Sequence, residues 1–249
     1  MTEVATSLGG FDLNREPYLV VWPSRLARLA ECGRAYRNLY LLGVPGDGEV
    51  ASPARDLGTA THTELEARHD WPARHDDPGL LLEHAPEVAD GIPAFVAAHA
   101  RVCPATAEPP ARYRGGEQTL GWRLTDERVV LLATIDAVWE RADGTIELRD
   151  YKTGVHAPDP ATDPAASVHA LLGQAHWPDQ PVRVVYERLG AEPVEAAIDV
   201  DAAVLASAAE RLRAHAAALR AGDLPARPGR VCNRCEYRRT CPVSAAEPG

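Results

Sequence analysis

The segment GTIELRDYKTG, residues 144–154, holds the only lysine of a 249-residue chain that has 25 arginines. Arginine stays charged at any working pH, whereas a lysine amine is compact, flexible and able to shift its pKa in a cleft or near a metal. Lys152 therefore stands out as a position where arginine would not serve. Two residues before it is Asp150. Upstream lies Asp136, the one acid of VVLLATIDAV, a run otherwise apolar except for Thr134. A carboxylate in such a run needs a cation or several hydrogen-bond donors. Two carboxylates brought together repel unless something positive lies between them, and a hard divalent ion with oxygen ligands is the usual solution. Mg²⁺ or Mn²⁺ suits the pair, with Lys152 placed to orient or deprotonate a nucleophilic water. The simpler alternative is a surface ion pair between Asp150 and Lys152 at an exposed strand end.

The elements that must position these residues follow from period and punctuation. RYRGGEQTLGWRLT, RVVLLATIDAVWE and TIELRDYK are rich in β-formers, and the ADG at 142–144 is a hairpin signal, so three antiparallel strands are expected. On the last of them Ile146, Leu148, Asp150 and Lys152 share one face, while Glu147, Arg149 and Tyr151 share the other. The first face begins apolar and ends charged, as in a strand that runs out of the core into a cleft. Before the strands, Ser24 can cap a helix reaching to about residue 40, LGTATHTELEARHD reads as a second helix with His62 and Glu66 on one face, and 78–103 reads as interrupted helix. After them come a loop over 157–164, a short helix in AASVHALLGQAHW, a strand in PVRVVYERLG, a further strand in VEAAIDV, and a long alanine-rich helix ending at Gly222. Residues 1–22 look extended or loose. The order gives an α+β fold, a mixed sheet flanked by helices.

The net charge of −10 argues against a protein that coats nucleic acid indiscriminately, yet it is unevenly spread. Arg25, Arg28, Arg34 and Arg37 against Glu31, with Arg227, Arg230, Arg234, Arg238 and Arg239 against Glu236, carry +7 between them and leave −17 elsewhere. These are either solvated helix and tail arginines or, if the two segments meet, a patch for a polyanion. Five cysteines, Cys32, Cys103, Cys232, Cys235 and Cys241, are an odd number, which disfavours a disulfide framework. VCNRCEYRRTCP spaces three of them C-x2-C-x5-C, tight enough for one loop to present three thiolates to a metal centre. The fourth ligand would be Cys32 or Cys103, and Cys32 lies in the other arginine-rich segment. MTEVATSLGG has neither the basic stretch nor the apolar core of a signal peptide, and no apolar run approaches the ~18 residues of a membrane span, so a cytoplasmic location without membrane attachment is expected.

The run ATIDAVWERADGTIELRDYKTG resembles the paired motifs of the PD-(D/E)XK nuclease superfamily, in particular its RecB-like exonuclease branch, where a G-x-x-D strand is followed by a hairpin and D-Y-K-T-G. The resemblance implies a restriction-endonuclease-like core. It makes Asp136, Asp150, Lys152 and Glu117 catalytic, with His62, Asp136, Asp150 and the backbone carbonyl of Tyr151 as metal ligands. His62 enters through GTATHTELE, similar to the family's G-x-x-x-H helix, and Glu117 through GGEQT. In a subset including CRISPR-associated RecB-like exonucleases and the nuclease subunits of the AddB type, one cysteine before these motifs and C-x2-C-x5-C after them hold a [4Fe-4S] cluster. That pattern points to Cys32, Cys232, Cys235 and Cys241 and leaves Cys103 over. The implied organisation is a single nuclease domain over 24–242, with 24–43 and 227–242 forming the iron-sulfur subdomain and 1–17 and 243–249 loose. Three departures stand out: Ala133 replaces the glycine of G-x-x-D, Gly33 replaces the proline that often follows the first cysteine, and Gln174 is the nearest glutamine to a Q-x-x-x-Y motif with no tyrosine after it.

On this resemblance the expected activity is Mg²⁺- or Mn²⁺-dependent hydrolysis of DNA, as an exonuclease on single strands or duplex ends. Arg34, Arg37, Gln174, Arg234, Arg238 and Arg239 would contact DNA, with weak sequence preference because phosphates are what they read. A helicase, recombinase or integrase partner, or self-association, fits the same family. Two alternatives remain open here. One is a noncatalytic DNA-binding or scaffolding subunit that keeps the fold and the cluster, and the other is a zinc-stapled protein with no nucleic-acid role.

Overall fold

The computed structural model describes residues 3–5, 18–47, 53–71, 82–154 and 158–245. Two short strands come first, β1 (Glu3–Ala5) and β2 (Leu19–Val21). Pro23 opens helix α1 (Pro23–Glu31), where its missing N–H costs nothing and its fixed φ suits a helix. Ser24, expected as the cap, lies inside this helix, and Trp22 precedes it. The single helix expected to residue 40 is also broken. Cys32 is extended, at φ −162° and ψ 113°, and the chain restarts as α2 (Gly33–Tyr36), which runs into a π-helical turn at Arg37–Leu41. Helix α3 (Pro53–Asp70) begins earlier than the sequence pattern suggests, at a proline. Helices α4 (Pro86–Ala89) and α5 (Ile92–Ala100) are the interrupted helix expected over 78–103, of which 78–81 lie outside the described residues.

Strands β3 (Arg112–Leu124), β4 (Val129–Glu140) and β5 (Ile146–Lys152) follow as the expected antiparallel meander. Then come α6 (Pro164–His176), β6 (Val182–Arg188), β7 (Val194–Asp199) and α7 (Ala202–Ala221). Asp163 caps α6 by accepting from the Ala165 N–H at 3.0 Å, and Asp201 caps α7 by accepting from the Val204 N–H at 2.8 Å. Gly222, at φ +68°, closes α7 in the left-handed conformation that glycine adopts without penalty. Looseness at 1–17 and 243–249 concerns segments largely outside the described residues; within them, Glu3–Ala5 pairs with β3.

The seven strands form one mixed sheet in the order β1-β3-β4-β5-β6-β7, with β2 also beside β4. One edge of β4 is occupied by β3. The other edge is shared: β2 runs parallel to it over Val129–Leu131, and β5 antiparallel over Ala137–Glu140. Between these pairings the edge is open, and Asp136 stands at the point where β5 departs. Helix α6 makes the crossover that lets β6 run parallel to β5 along its full length.

Apolar side chains cover both faces. On one, Leu26 of α1, Val168, Leu171 and Leu172 of α6, and Ala208, Leu212 and Ala216 of α7 pack on Leu131, Ile135, Ile146 and Leu148. On the other, Leu65 of α3 with Ile92 and Val96 of α5 packs on Ala137, Trp139 and Tyr151. That second face also holds buried charge. The Arg149 guanidinium, 1% exposed, pairs with the buried Glu147 and Glu187 and with Glu195 at the surface, so its planar fork is met by carboxylates on three sides.

The chain ends cross closely. A Cβ added at Gly33 would lie 2.6 Å from the backbone carbon of Leu224, so the segment leaving α7 passes where any side chain would collide. This gives the glycine after Cys32 its reason. Gly33→Ala is expected to lower stability by about 1–3 kcal/mol, as overpacking of backbone does, and a denaturant midpoint unchanged from wild type would refute the crossing.

His215 on α7 has no hydrogen-bond partner for either ring nitrogen among the described residues and lies edge-on to Tyr36. Burial, with Arg25 adding to it, pushes its pKa from 6.5 down to about 4. A base depressed in the folded state contributes stability above its unfolded pKa and loses it as pH falls through the folded one. The window is therefore pH 6.5 to about 4, and the loss is at most about 3 kcal/mol. His215→Leu is expected to flatten the acid side of the Tm–pH curve there; an acid limb as steep as wild type would show that other groups set it.

Candidate active site

The opening between β4 and β5 gathers residues from four elements. The β4–β5 ladder ends at Ala137 opposite Arg149. One step further, the Tyr151 N–H donates to Oδ2 of Asp136 at 2.6 Å, so a side chain replaces the partner strand and the two strands diverge. The ladder of β5 with β6 continues to Lys152 opposite Arg188, which holds the end of β5 in place while its other edge is free. From α3, Gly58 faces Thr153, whose Oγ1 lies 3.0 Å from where a Cβ would be. One turn on, Nε2 of His62 is 3.1 Å from the Tyr151 carbonyl oxygen and Nδ1 is 3.4 Å from Oδ1 of Asp136.

Glu117 completes the group from β3. With Gly116 opposite Ala137 and Gln118 opposite Ile135, it stands across from Asp136. The pairing shifts between Tyr113 and Gly115, and Glu117 itself has φ +46°, a conformation that costs a non-glycine residue about 1 kcal/mol or more. This local distortion is how a strand re-aims a side chain. Its Oε1 is 4.0 Å from Nδ1 of His62, and His62, Glu117 and Asp136 offer three ligand atoms within 4.8 Å of one another. An imidazole, carboxylates and an adjacent carbonyl oxygen fit a divalent cation such as Mg²⁺ or Mn²⁺.

The electrostatics agree with that fit. Burial opposes charge on His62, yet the hydrogen bond and charge of Asp136, with Asp150 and Glu117 behind it, hold its pKa above the ordinary value. Burial and the charge of Asp136 push Glu117 up, and Glu66 adds to this. Asp150 is raised by burial, with Asp136 adding to it against the opposing charge of Lys152. The cluster is short of positive charge at its centre. Lys152 answers this only on one flank: Nζ lies 2.7 Å from the Asp150 carboxylate and 4.7 Å from the centre of the Tyr186 ring.

Three neighbours were not legible beforehand. The Tyr186 hydroxyl donates to Oδ2 of Asp163 at 2.9 Å, so the residue capping α6 also holds the ring under Lys152. His169 of α6 is buried within reach of the charges of Asp150, Lys152 and Asp136, and burial holds its pKa below the ordinary value, opposed by Asp150 and reinforced by Lys152. The one available signal was a histidine in the otherwise small and apolar run AASVHALLG. Gln174 lies elsewhere. It donates to the Pro178 carbonyl at 3.3 Å, and its neighbour Gly173 packs on Leu148 and Val182, near the strand starts remote from Lys152.

The two arginine-rich segments do meet. Arg28 pairs with Glu236, Arg234 with Glu31 at 2.5 Å, and the Tyr237 hydroxyl donates to the Val44 carbonyl at 2.9 Å. Cys32, Cys232, Cys235 and Cys241 line one pocket there, together with Arg34 and Arg238. The Arg227 N–H points to the Cys32 sulfur and the Gly229 N–H to that of Cys232, each at 3.5 Å. Backbone donors of Ala245 and Gly229 lower the pKa of Cys232, favouring a thiolate. Of the remaining arginines expected to meet DNA, Arg37 is exposed, Arg238 donates to the Asn233 carbonyl at 3.1 Å, and the backbone of Arg239 binds Asp47.

The family model of the PD-(D/E)XK nuclease superfamily matches residues 22–242. Among solved structures, the chain is similar to a proposed exonuclease from Eubacterium rectale, at 12% identity over 93% of this chain and 91% of that one with a TM-score of 0.51, a likeness of fold. The structure of a protein named SSO0001 aligns at 12% identity over 91% of this chain and 87% of that one, at a TM-score of 0.42 too low to argue from. No curated protein matches the sequence. Among the described residues no helix is long and apolar enough to cross a membrane.

Proposed function

As the chain belongs to the PD-(D/E)XK nuclease superfamily, we propose that it is a metal-dependent deoxyribonuclease acting as an exonuclease on single-stranded DNA or duplex ends. The observation that carries this is the convergence of His62, Glu117 and Asp136 at the opening where β4 and β5 part, with the Asp150–Lys152 pair beside it. His62, Asp136, Asp150 and the Tyr151 carbonyl would hold Mg²⁺ or Mn²⁺. When bound there, a divalent cation supplies Lewis acidity toward a phosphate oxygen and a lowered pKa for a coordinated water. Lys152, steadied by Asp150 and Tyr186, orients the attacking water or stabilises the charge that develops on the phosphate. Glu117, opposite Asp136, accepts the proton that the water gives up.

The terminal cysteines hold a [4Fe-4S] cluster in this reading. Its support is the shared pocket of Cys32, Cys232, Cys235 and Cys241 and the backbone N–H groups aimed at two of the sulfurs. Arg34 and Arg238 line that pocket, Arg234 and Arg239 lie on the cysteine segment and Arg37 on the turn after α2, and these would track a phosphate backbone.

The deciding experiment purifies the protein anaerobically and incubates it with end-labelled single- and double-stranded DNA in Mn²⁺, Mg²⁺ or EDTA. Metal-dependent shortening of the labelled strand, lost in Asp150→Ala while DNA binding persists, is the expected result. An intact, cluster-loaded protein that binds DNA and never cleaves it would make this chain a binding subunit instead. A colourless preparation free of iron and sulfide would remove the cluster from the proposal and leave the nuclease reading standing.

A further inference from the structure

On the sheet face covered by α3, α4 and α5, three buried side chains converge that the catalytic reading does not use. His69 lies in the last turn of α3, His99 in the last turn of α5, and Cys103 just beyond it. Nε2 of His69 is 3.0 Å from Nε2 of His99 and 3.7 Å from the Cys103 sulfur, and the three ligand atoms all lie within 4.8 Å of one another. Around zinc, bonds of about 2.0–2.1 Å to nitrogen and about 2.3 Å to sulfur on a tetrahedron put neighbouring donors roughly 3.3–3.6 Å apart. The separations of His69 from His99 and from Cys103 already lie close to those edges.

We propose that His69, His99 and Cys103 bind Zn²⁺ as its three protein ligands, leaving the fourth tetrahedral position to a water. The second nitrogen of His99 supports it: Nδ1 lies 2.7 Å from Oε1 of Glu187, itself fully buried and bonded to Arg149. A carboxylate in that place fixes the ring and its tautomer and turns the Nε2 lone pair toward a metal. Two imidazoles and a thiolate are softer than the carboxylate-rich set around Asp136, so the two sites select different ions, zinc here and Mg²⁺ or Mn²⁺ there. On binding, Cys103 releases its thiol proton and the charged His99 releases the Nε2 proton it shares with His69, both to solvent, while His99 keeps the Nδ1 proton it donates to Glu187.

The ion would act on the active site through geometry. His69 is seven residues beyond His62 on α3, two turns along the same side of the helix. The Tyr151 ring sits edge-on to both His62 and His99, at centroid distances of 5.9 and 5.3 Å. Tying the end of α3 to α5 therefore fixes the helix that delivers His62.

The test is cobalt and zinc binding to the full chain after anaerobic removal of metal. It compares a variant in which Cys32, Cys232, Cys235 and Cys241 are all replaced by serine with the same variant carrying Cys103→Ser as well. A sulfur-to-cobalt charge-transfer band is expected in the first and absent from the second, which also binds one zinc fewer per chain. The acidic site contributes no such band because it has no sulfur. No band in the first variant, or equal zinc content in the two, overturns the site and leaves His69 and His99 as a hydrogen-bonded pair. Zinc-edge X-ray absorption of unmutated protein whose terminal cysteines still hold iron covers the case of a variant that fails to fold: mixed nitrogen and sulfur donors support the proposal, and an all-sulfur or sulfur-free shell refutes it.

Discussion

Lys152→Ala is expected to lower DNA cleavage by roughly 10²–10³-fold, the range associated with losing one group that stabilises transition-state charge, while leaving DNA binding and fold intact. The side chain is partly exposed at the end of β5, and its contacts are the Asp150 carboxylate and the Tyr186 ring. Removing it leaves no apolar core unfilled. Lys152→Arg tests the chemistry more sharply. Arginine keeps the positive charge and can still pair with Asp150, but it is a planar fork where a compact amine stood. Its cleavage rate should stay close to that of the alanine variant. Single-turnover assays on end-labelled DNA measure both, and an arginine variant with near wild-type rate would reduce Lys152 to a charge.

Asp136→Asn should cost still more, about 10³-fold or beyond in a site whose transition-state stabilisation depends on charge at this position, together with loss of Mn²⁺ affinity. The asparagine oxygen can still accept from the Tyr151 N–H, so the parting of β4 and β5 survives. What disappears is the negative charge that repels Glu117 and Asp150 and attracts His62. Relief of two repulsions against the loss of one attraction predicts that the metal-free variant is at least as stable as wild type. Titration calorimetry with Mn²⁺ and a denaturant midpoint check the two halves separately. Undiminished Mn²⁺ binding would place the ion on other residues, and a large fall in stability would mean that Asp136 serves the fold more than the site.

Much of the site could be read in the sequence because the relevant constraints are local. Strand alternation put Asp150 and Lys152 on one side of β5, helical spacing put His62 one turn after Gly58, and the ADG hairpin fixed which strands must be neighbours. An acid in an apolar run, Asp136, announced itself by its cost. The closeness of α1 and the C-terminal segment was visible only through cysteine spacing, whose demand for a further ligand linked segments about two hundred residues apart.

Other features depend on distance in space. Glu117 reaches Asp136 because β3 is distorted at Gly115, and no local signal distinguishes that distortion from an ordinary glycine pair. Cys32 breaks the first helix although periodicity runs through it, because the chain must turn where Gly33 meets Leu224. His169, Tyr186 and the group of His69, His99 and Cys103 come from elements that pack only after the sheet is assembled. By itself the sequence determined the α+β class, the strands of the meander and the acidic and basic residues of β4 and β5, since alternation, turn chemistry and the cost of lone charges act over a few residues. The tertiary structure decided which strand edge stays open, how the carboxylates share one volume, and which buried histidines face a thiol. Those outcomes depend on how strands diverge and helices cross, and no single segment of the chain encodes them.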